Sequence, residues 1–103
     1  MKKLDLTKCV GFDWDKGNQD KHSTKHPVSI PECEQVFLNR PLLLYEDSLH
    51  SNSEDRYFVL GKTKHDRCLF VAFTIRKNLI RVICAREMSK RERVIYDNAQ
   101  KED

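Results

Sequence analysis

No stretch of this chain approaches the roughly 20 consecutive apolar residues that a membrane-spanning helix needs. The opening Met1-Lys2-Lys3 is followed by Asp5 rather than by the apolar centre of a secretory signal. A cytoplasmic protein with no membrane contact is expected. The four cysteines, Cys9, Cys33, Cys68 and Cys84, form no C-x-x-C pair. At least two of them lie inside apolar, strand-like runs, so they read as small core residues rather than as a disulfide framework. His22 and His26 stand four apart, which would put both on one face of a helix. The zinc motif H-E-x-x-H needs glutamate where Ser23 stands, however, and no third ligand follows at a telling distance. No metal and no other cofactor is expected. Internal repeats, linkers and low-complexity segments are missing too, as is any helix-turn-helix with a credible recognition helix, which argues against a plain DNA-binding regulator.

What is present fits one domain. A chain of 103 residues buries roughly two thirds of its unfolded-chain surface in a single core, with little left for a second, so 1–103 reads as a single domain. Its net charge of +3 is mild but unevenly placed. Pro27–Tyr57 carries six acids against two arginines, whereas the C-terminal third is strongly basic.

Phe12-Asp13-Trp14-Asp15 reads as a short strand running into a helix, with Asp15 placed to cap its first turn. A polar helix is predicted from about Lys16 to Lys25, stopped by His26-Pro27 because the residue before proline is pushed out of the α region. Ser29 with Glu32 forms a capping box, and Ile30, Cys33, Val36 and Phe37 make an apolar stripe at helical spacing, so a second helix is predicted over Pro31–Leu38. The period then changes. Leu42–Glu46, Arg56–Lys62, Cys68–Arg76 and Leu79–Arg86 are rich in Leu, Val, Ile, Phe and Tyr, and polar breaks separate them. The breaks TKHD and KN are hairpin-short, so the last three strands should form an antiparallel meander. Ser89 with Glu92 opens a final helix through about Asn98. The expected class is α+β: a four-stranded antiparallel sheet packed with N-terminal helices and a C-terminal helix, part of one sheet face being left open to solvent or a ligand.

The segment Ile80–Tyr96, IRVICAREMSKRERVIY, stands out. A β-branched run ending in Arg86 passes directly into a helix whose exposed side is almost all cationic, and from Arg76 to Arg93 there are seven Lys/Arg and two acids. A basic strand-to-helix edge on a small domain suits a polyphosphate partner; a merely solvated helix face has the same composition.

The pattern W-D-x-x-N-x-x-K-x-x-x-K-H-x-V-S-x-x-E-x-E-x-V-F from Trp14 to Phe37 resembles the BrnT family of bacterial toxins. NRPLL at Asn39–Leu43, H-S-x-x-E-x-R at His50–Arg56, F-T-I-R at Phe73–Arg76 and IRVICAREMSKRER at Ile80–Arg93 are similar to the same family in the same order. The resemblance covers about residues 12–97. It implies a RelE-like fold and a metal-independent endoribonuclease toxin of a type II toxin–antitoxin pair, acting on RNA and so inhibiting translation and growth. It also implies a BrnA-type antitoxin as partner, a DNA-binding protein of ribbon-helix-helix type that holds the toxin inactive and carries it to operator DNA. The chain departs from the family pattern at His22, Pro27 and Cys84, where the family has asparagine, glycine and serine. If that serine hydroxyl contacts RNA or orients an arginine, a thiol substitutes weakly and activity falls. A non-catalytic binding module, serving only as the antitoxin's partner in operator autoregulation, is the alternative.

Metal-free RNA cleavage requires deprotonating a 2′-hydroxyl, neutralising charge on the phosphorane oxygens and protonating the departing 5′-oxygen. Arg56, Arg76, Arg81 and Arg86 all fall at strand ends or edges, where a guanidinium can hold a phosphate with two parallel hydrogen bonds. Simple alternation puts Cys84 and Arg86 on one face of the last strand and Arg81 on the other. Arg56, Arg76 and Arg86 are therefore expected to form the phosphate clamp, with Arg81 a solvent or partner contact. His26 is the expected proton-transfer group, since its ordinary pKa of about 6.5 lets it act in either direction near neutrality; a helix C-terminal cap is the competing role. Trp14, Lys25, Arg81, Lys90, Arg91 and Tyr96 complete the expected RNA-binding set. Trp14 and Tyr96 are included as possible stacking partners for a base, although each also suits packing.

Overall fold

Ser29 and Glu32 start the first helix described in the structure, a computed structural model that describes residues 6, 9–14, 27–47 and 55–101. The Ser29 hydroxyl accepts from the Glu32 N–H at 3.3 Å and the Glu32 carboxylate accepts from the Ser29 N–H at 3.0 Å, so two donors that the first turn leaves unpaired are satisfied reciprocally. Pro31 sits in that turn, where a missing N–H costs nothing. The helix, α1 (Ile30–Leu38), buries Cys33, Val36 and Phe37 along one stripe.

Five strands make the sheet: β1 (Gly11–Phe12), β2 (Leu43–Glu46), β3 (Tyr57–Lys62), β4 (Cys68–Arg76) and β5 (Leu79–Glu87), in the order β1-β5-β4-β3-β2. A last helix, α2 (Lys90–Lys101), follows. The β2-to-β5 meander is antiparallel as expected. The expected four-stranded sheet needs correction, because Gly11 and Phe12 pair in parallel with Leu79 and Ile80 and make it five-stranded and mixed. The polar helix expected over 16–25 lies outside the described residues. α2 runs to Lys101, a few residues past the expected end.

Chemistry of the turns sets the strand pairing. Lys77 and Asn78 both take positive φ, 53° and 63°, the two-residue hairpin geometry whose twist matches that of the flanking strands. Between β3 and β4, the Thr63 hydroxyl accepts from the N–H groups of His65 and Arg67 at 3.3 and 3.1 Å.

The core lies between α1 and one sheet face. Val36, Val59, Leu69, Val71 and Phe73 are fully buried there, each stabilising the fold by about 1.5–3 kcal/mol relative to exposure. Phe37 meets Phe73 edge-on at 5.2 Å and Phe12 at 5.5 Å. The helix can lie this close because residue 61 is glycine: a Cβ there would stand 2.8 Å from Val36 Cγ1 and 3.2 Å from Leu42 Cδ1. Arg67 clamps one end of this layer, donating to both Glu32 oxygens at 3.1 and 2.9 Å, to the Pro27 carbonyl at 3.2 Å and to Glu87 at 3.4 Å.

Candidate functional site

An extra residue in β5 decides which side chains share the face opposite α1. Phe73 pairs with Val82 but Ala72 pairs with Cys84, so Ile83 is a β-bulge without a partner of its own. Val82 and Ala85, three apart, therefore both reach the core. The parity of the strand is reversed beyond that point. Arg81 lies opposite Thr74, Cys84 opposite Ala72 and Arg86 opposite Phe70, and Thr74, Ala72 and Phe70 alternate onto one face of β4. The separation of Arg81 from Arg86 expected from uninterrupted alternation is thus incorrect: both project from the face away from α1.

The other arginines fall on the same side. Arg76 shares the Thr74 face of β4, and continuing the β3–β4 register by one residue sets Arg56 opposite Thr74. The backbone bond from the Asp47 N–H to the Arg56 carbonyl, 2.8 Å, agrees with that position. Arg56 and Arg81 thus flank Thr74 from adjacent strands, with Cα atoms about 10 Å apart, twice the interstrand spacing. Arg76 and Arg81 are diagonal neighbours across the hairpin, about 7–8 Å apart. Thr74 is 4% exposed and its hydroxyl donates to the Asp55 carbonyl at 2.8 Å. Three flexible guanidiniums at this separation can reach one phosphodiester group.

Arg86 sits elsewhere on the face, about 13 Å along the strands from Arg81, and it is already engaged. Its Nη1 and Nη2 donate to the two oxygens of Glu92 at 2.7 and 3.0 Å, and Nη1 also donates to the Glu87 carbonyl at 3.1 Å. The guanidinium carbon rests 4.1 Å from the centre of the Phe70 ring. The Glu92 fork raises the Arg86 pKa above its ordinary value, and the same bonds hold the Glu92 carboxyl below the usual carboxylate range, helped by the Ser89 N–H. Both terminal nitrogens of Arg86 are committed to Glu92, at a distance along the sheet from Arg56, Arg76 and Arg81. Arg86 fastens α2 to the sheet.

A family model for the ribonuclease toxin BrnT of type II toxin–antitoxin systems matches residues 14–92. The chain belongs to the BrnT toxin family. No curated protein matches it.

In this BrnT-family chain the remaining candidates divide by position. Tyr96, expected to touch RNA, is 0% exposed. Its hydroxyl donates to the Pro41 carbonyl at 2.6 Å, and burial pushes its pKa up to about 12; it anchors α2 and does not present a ring to a base. Trp14 packs against the core cluster on the α1 side, stacks on Phe12 at 6.3 Å and donates its indole N–H to Glu34 at 3.0 Å. It therefore packs on the α1 side of the sheet, across from the arginines. Lys90 and Arg91 are exposed at the start of α2. Lys25 and His26 lie outside the described residues. Among the described residues no helix is long and apolar enough to cross a membrane.

Several side chains on this face went unnoticed in the sequence. Thr74, Tyr45, Phe58 and Phe70 lie within apolar strand runs, and residue type alone does not say which face each takes. Alternation against the buried Val59 and Val71 is the signal that places Phe58 and Phe70 outward.

Proposed function

We propose that the protein is a metal-independent endoribonuclease that cuts RNA on the open sheet face, inhibiting translation and growth in the cytoplasm, within a RelE-like fold. Its proposed neutralising partner is a BrnA-type, ribbon-helix-helix antitoxin, through which alone it meets operator DNA. The observation that carries this reading is the match to the ribonuclease toxin family over residues 14–92. The arginine cluster supports it by offering suitable chemistry. Arg56, Arg76 and Arg81 grip the scissile phosphate and neutralise the charge that grows on its oxygens; preorganised cations of this kind contribute on the order of 10²-fold or more. Arg81 takes the clamp position first assigned to Arg86. His26 moves the proton at the 2′- or 5′-oxygen, and Lys25, Lys90 and Arg91 contact the flanking backbone.

Purified protein incubated with labelled RNA in EDTA tests the proposal. Cleavage is expected, and it should fall sharply in Arg81→Ala. Intact RNA, or cleavage unchanged in Arg81→Ala, overturns it; intact RNA together with retained antitoxin binding identifies a binding module instead.

A further inference from the structure

Tyr45 on β2 stacks on Phe58 of β3 with ring centres 4.9 Å apart and planes 19° from parallel. Phe58 stacks on Phe70 of β4 at 5.0 Å and 29°. Arg86 of β5 ends the row with its guanidinium over Phe70. Four adjacent strands thus contribute one π-surface each. Near-parallel rings at this spacing are offset, so each overhangs the next and leaves part of its face and one edge uncovered. On the α1 side of the same strands Val59, Val71 and Phe73 are at 0% exposure, whereas Phe58 and Phe70 are only half-buried and Tyr45 is 37% exposed. Aromatic rings left partly wet on a sheet face forgo stabilisation that a flat apolar ligand would recover.

We propose that this row is a base-stacking platform for single-stranded RNA. The proposal rests on the ribonuclease reading above and adds the form of substrate: unpaired RNA, held through its bases on the rings while Arg56, Arg76 and Arg81 draw its phosphates at the neighbouring end of the face. Aromatic rings and guanidinium planes are the surfaces on which splayed-out bases stack, and a duplex hides its base faces from them. Charge favours RNA over an apolar protein segment, since the row lies beside Arg81 and Arg76 on the same face. The Glu92 fork holds Arg86 in place and Arg86 covers Phe70, so the platform is ordered before the substrate arrives.

The test measures equilibrium binding of a short 2′-O-methylated RNA, which lacks the 2′-hydroxyl nucleophile and stays intact, and of the same backbone carrying abasic sites. Tyr45→Ala changes an exposed edge-strand position and Phe70→Leu keeps most of the apolar volume, with circular dichroism confirming that both variants fold. Each variant should bind the base-bearing oligomer at least about fivefold more weakly, the lower end for loss of one stack, and bind the abasic oligomer as the unaltered protein does. Equal affinities for the base-bearing oligomer, or equal losses for both oligomers, overturn the platform. So does Tyr45→Ala that loses antitoxin binding alone, which would make the row a protein-docking surface. Cleavable RNA left intact by the unaltered protein, with the stacking differences preserved, removes the nuclease reading and keeps the platform.

Discussion

Glu92 receives both terminal nitrogens of Arg86, at 2.7 and 3.0 Å, and through the same carboxylate accepts the Ser89 N–H at 2.9 Å. One side chain therefore caps α2 and ties it to the sheet. Glu92→Ala removes both roles and is expected to lower stability by about 1–2 kcal/mol, read from the urea unfolding midpoint. The half-exposed Arg86 limits the figure, because water screens its side of the pair. An unchanged midpoint would show that the fork contributes nothing.

Acid should loosen the attachments of both helices together, since Arg67 and Arg86, the partners of Glu32 and Glu92, meet at Glu87. Burial pushes the Glu32 carboxyl up, but the Ser29 N–H, the Arg67 guanidinium and the Ser29 hydroxyl outweigh it and hold the group below 4.5, its ordinary value. Arg86 does the same for Glu92. Because both folded-state values are depressed, their stabilisation is complete above the ordinary carboxylate value and is lost as pH falls through the lower, folded one. Urea midpoints measured from neutrality into acid should drop in that window, and the drop should shrink in a Glu32→Gln, Glu92→Gln double variant. A double variant with the parent's acid profile would contradict the assignment.

Gly61→Ala should destabilise by about 1–3 kcal/mol, the usual consequence of overpacking. The new methyl would sit 2.8 Å from Val36 Cγ1, with the Val36 carbonyl behind it at 3.4 Å. Thermal unfolding measures this directly, and a neutral result would mean α1 slides on the sheet without cost.

Arg81→Ala should reduce RNA cleavage by about 10²-fold or more. Binding to a single-stranded RNA should also lose about 0.7 from its log–log salt slope, one phosphate contact's worth. Arg86→Ala should lower stability more and cleavage less. The reverse ranking, found by assaying both variants for cleavage and unfolding, would return Arg86 to the phosphate.

Cys84 is exposed on the arginine face and Cys33 is buried in the core. Burial, with Glu32 and Glu34 nearby, pushes the Cys33 thiol up to about 12. Iodoacetamide at mildly alkaline pH should therefore label Cys84 readily and Cys33 only after unfolding. Cys84→Ser, which supplies a stronger donor beside Arg81, should raise cleavage by roughly 2- to 10-fold, the worth of one ordinary hydrogen bond. A fall in cleavage would exclude a hydroxyl role there.

Local chemistry made much of the fold readable in advance. The Ser29 and Glu32 capping box, the apolar stripe from Cys33 to Phe37 and the Lys77-Asn78 turn act over a few residues and need no knowledge of the rest. A short strand is readable at Phe12 but its pairing is not, because a two-residue strand has no period to mark a face and its parallel partners, Leu79 and Ile80, are far along the chain. Arg67 to Glu32 spans 35 positions, and an arginine in a polar loop carries no mark of such a partner. The site was legible in residue type and obscured in direction. Arg81 was assigned to the wrong face because a single unpaired residue, Ile83, is indistinguishable in sequence from any other β-branched strand residue.

That unpaired residue makes inside and outside a matter of counting. Plain alternation through Ile83 would set Arg81 and Ala85 on one face and Val82 on the other, whereas deleting Ile83 would leave Arg81 outward and Val82 and Ala85 in the core with no bulge at all. Aligning related chains through this strand accordingly calls for anchoring on Val82 and Ala85, since a chain with one residue fewer between them keeps the same wet and dry sides without the bulge.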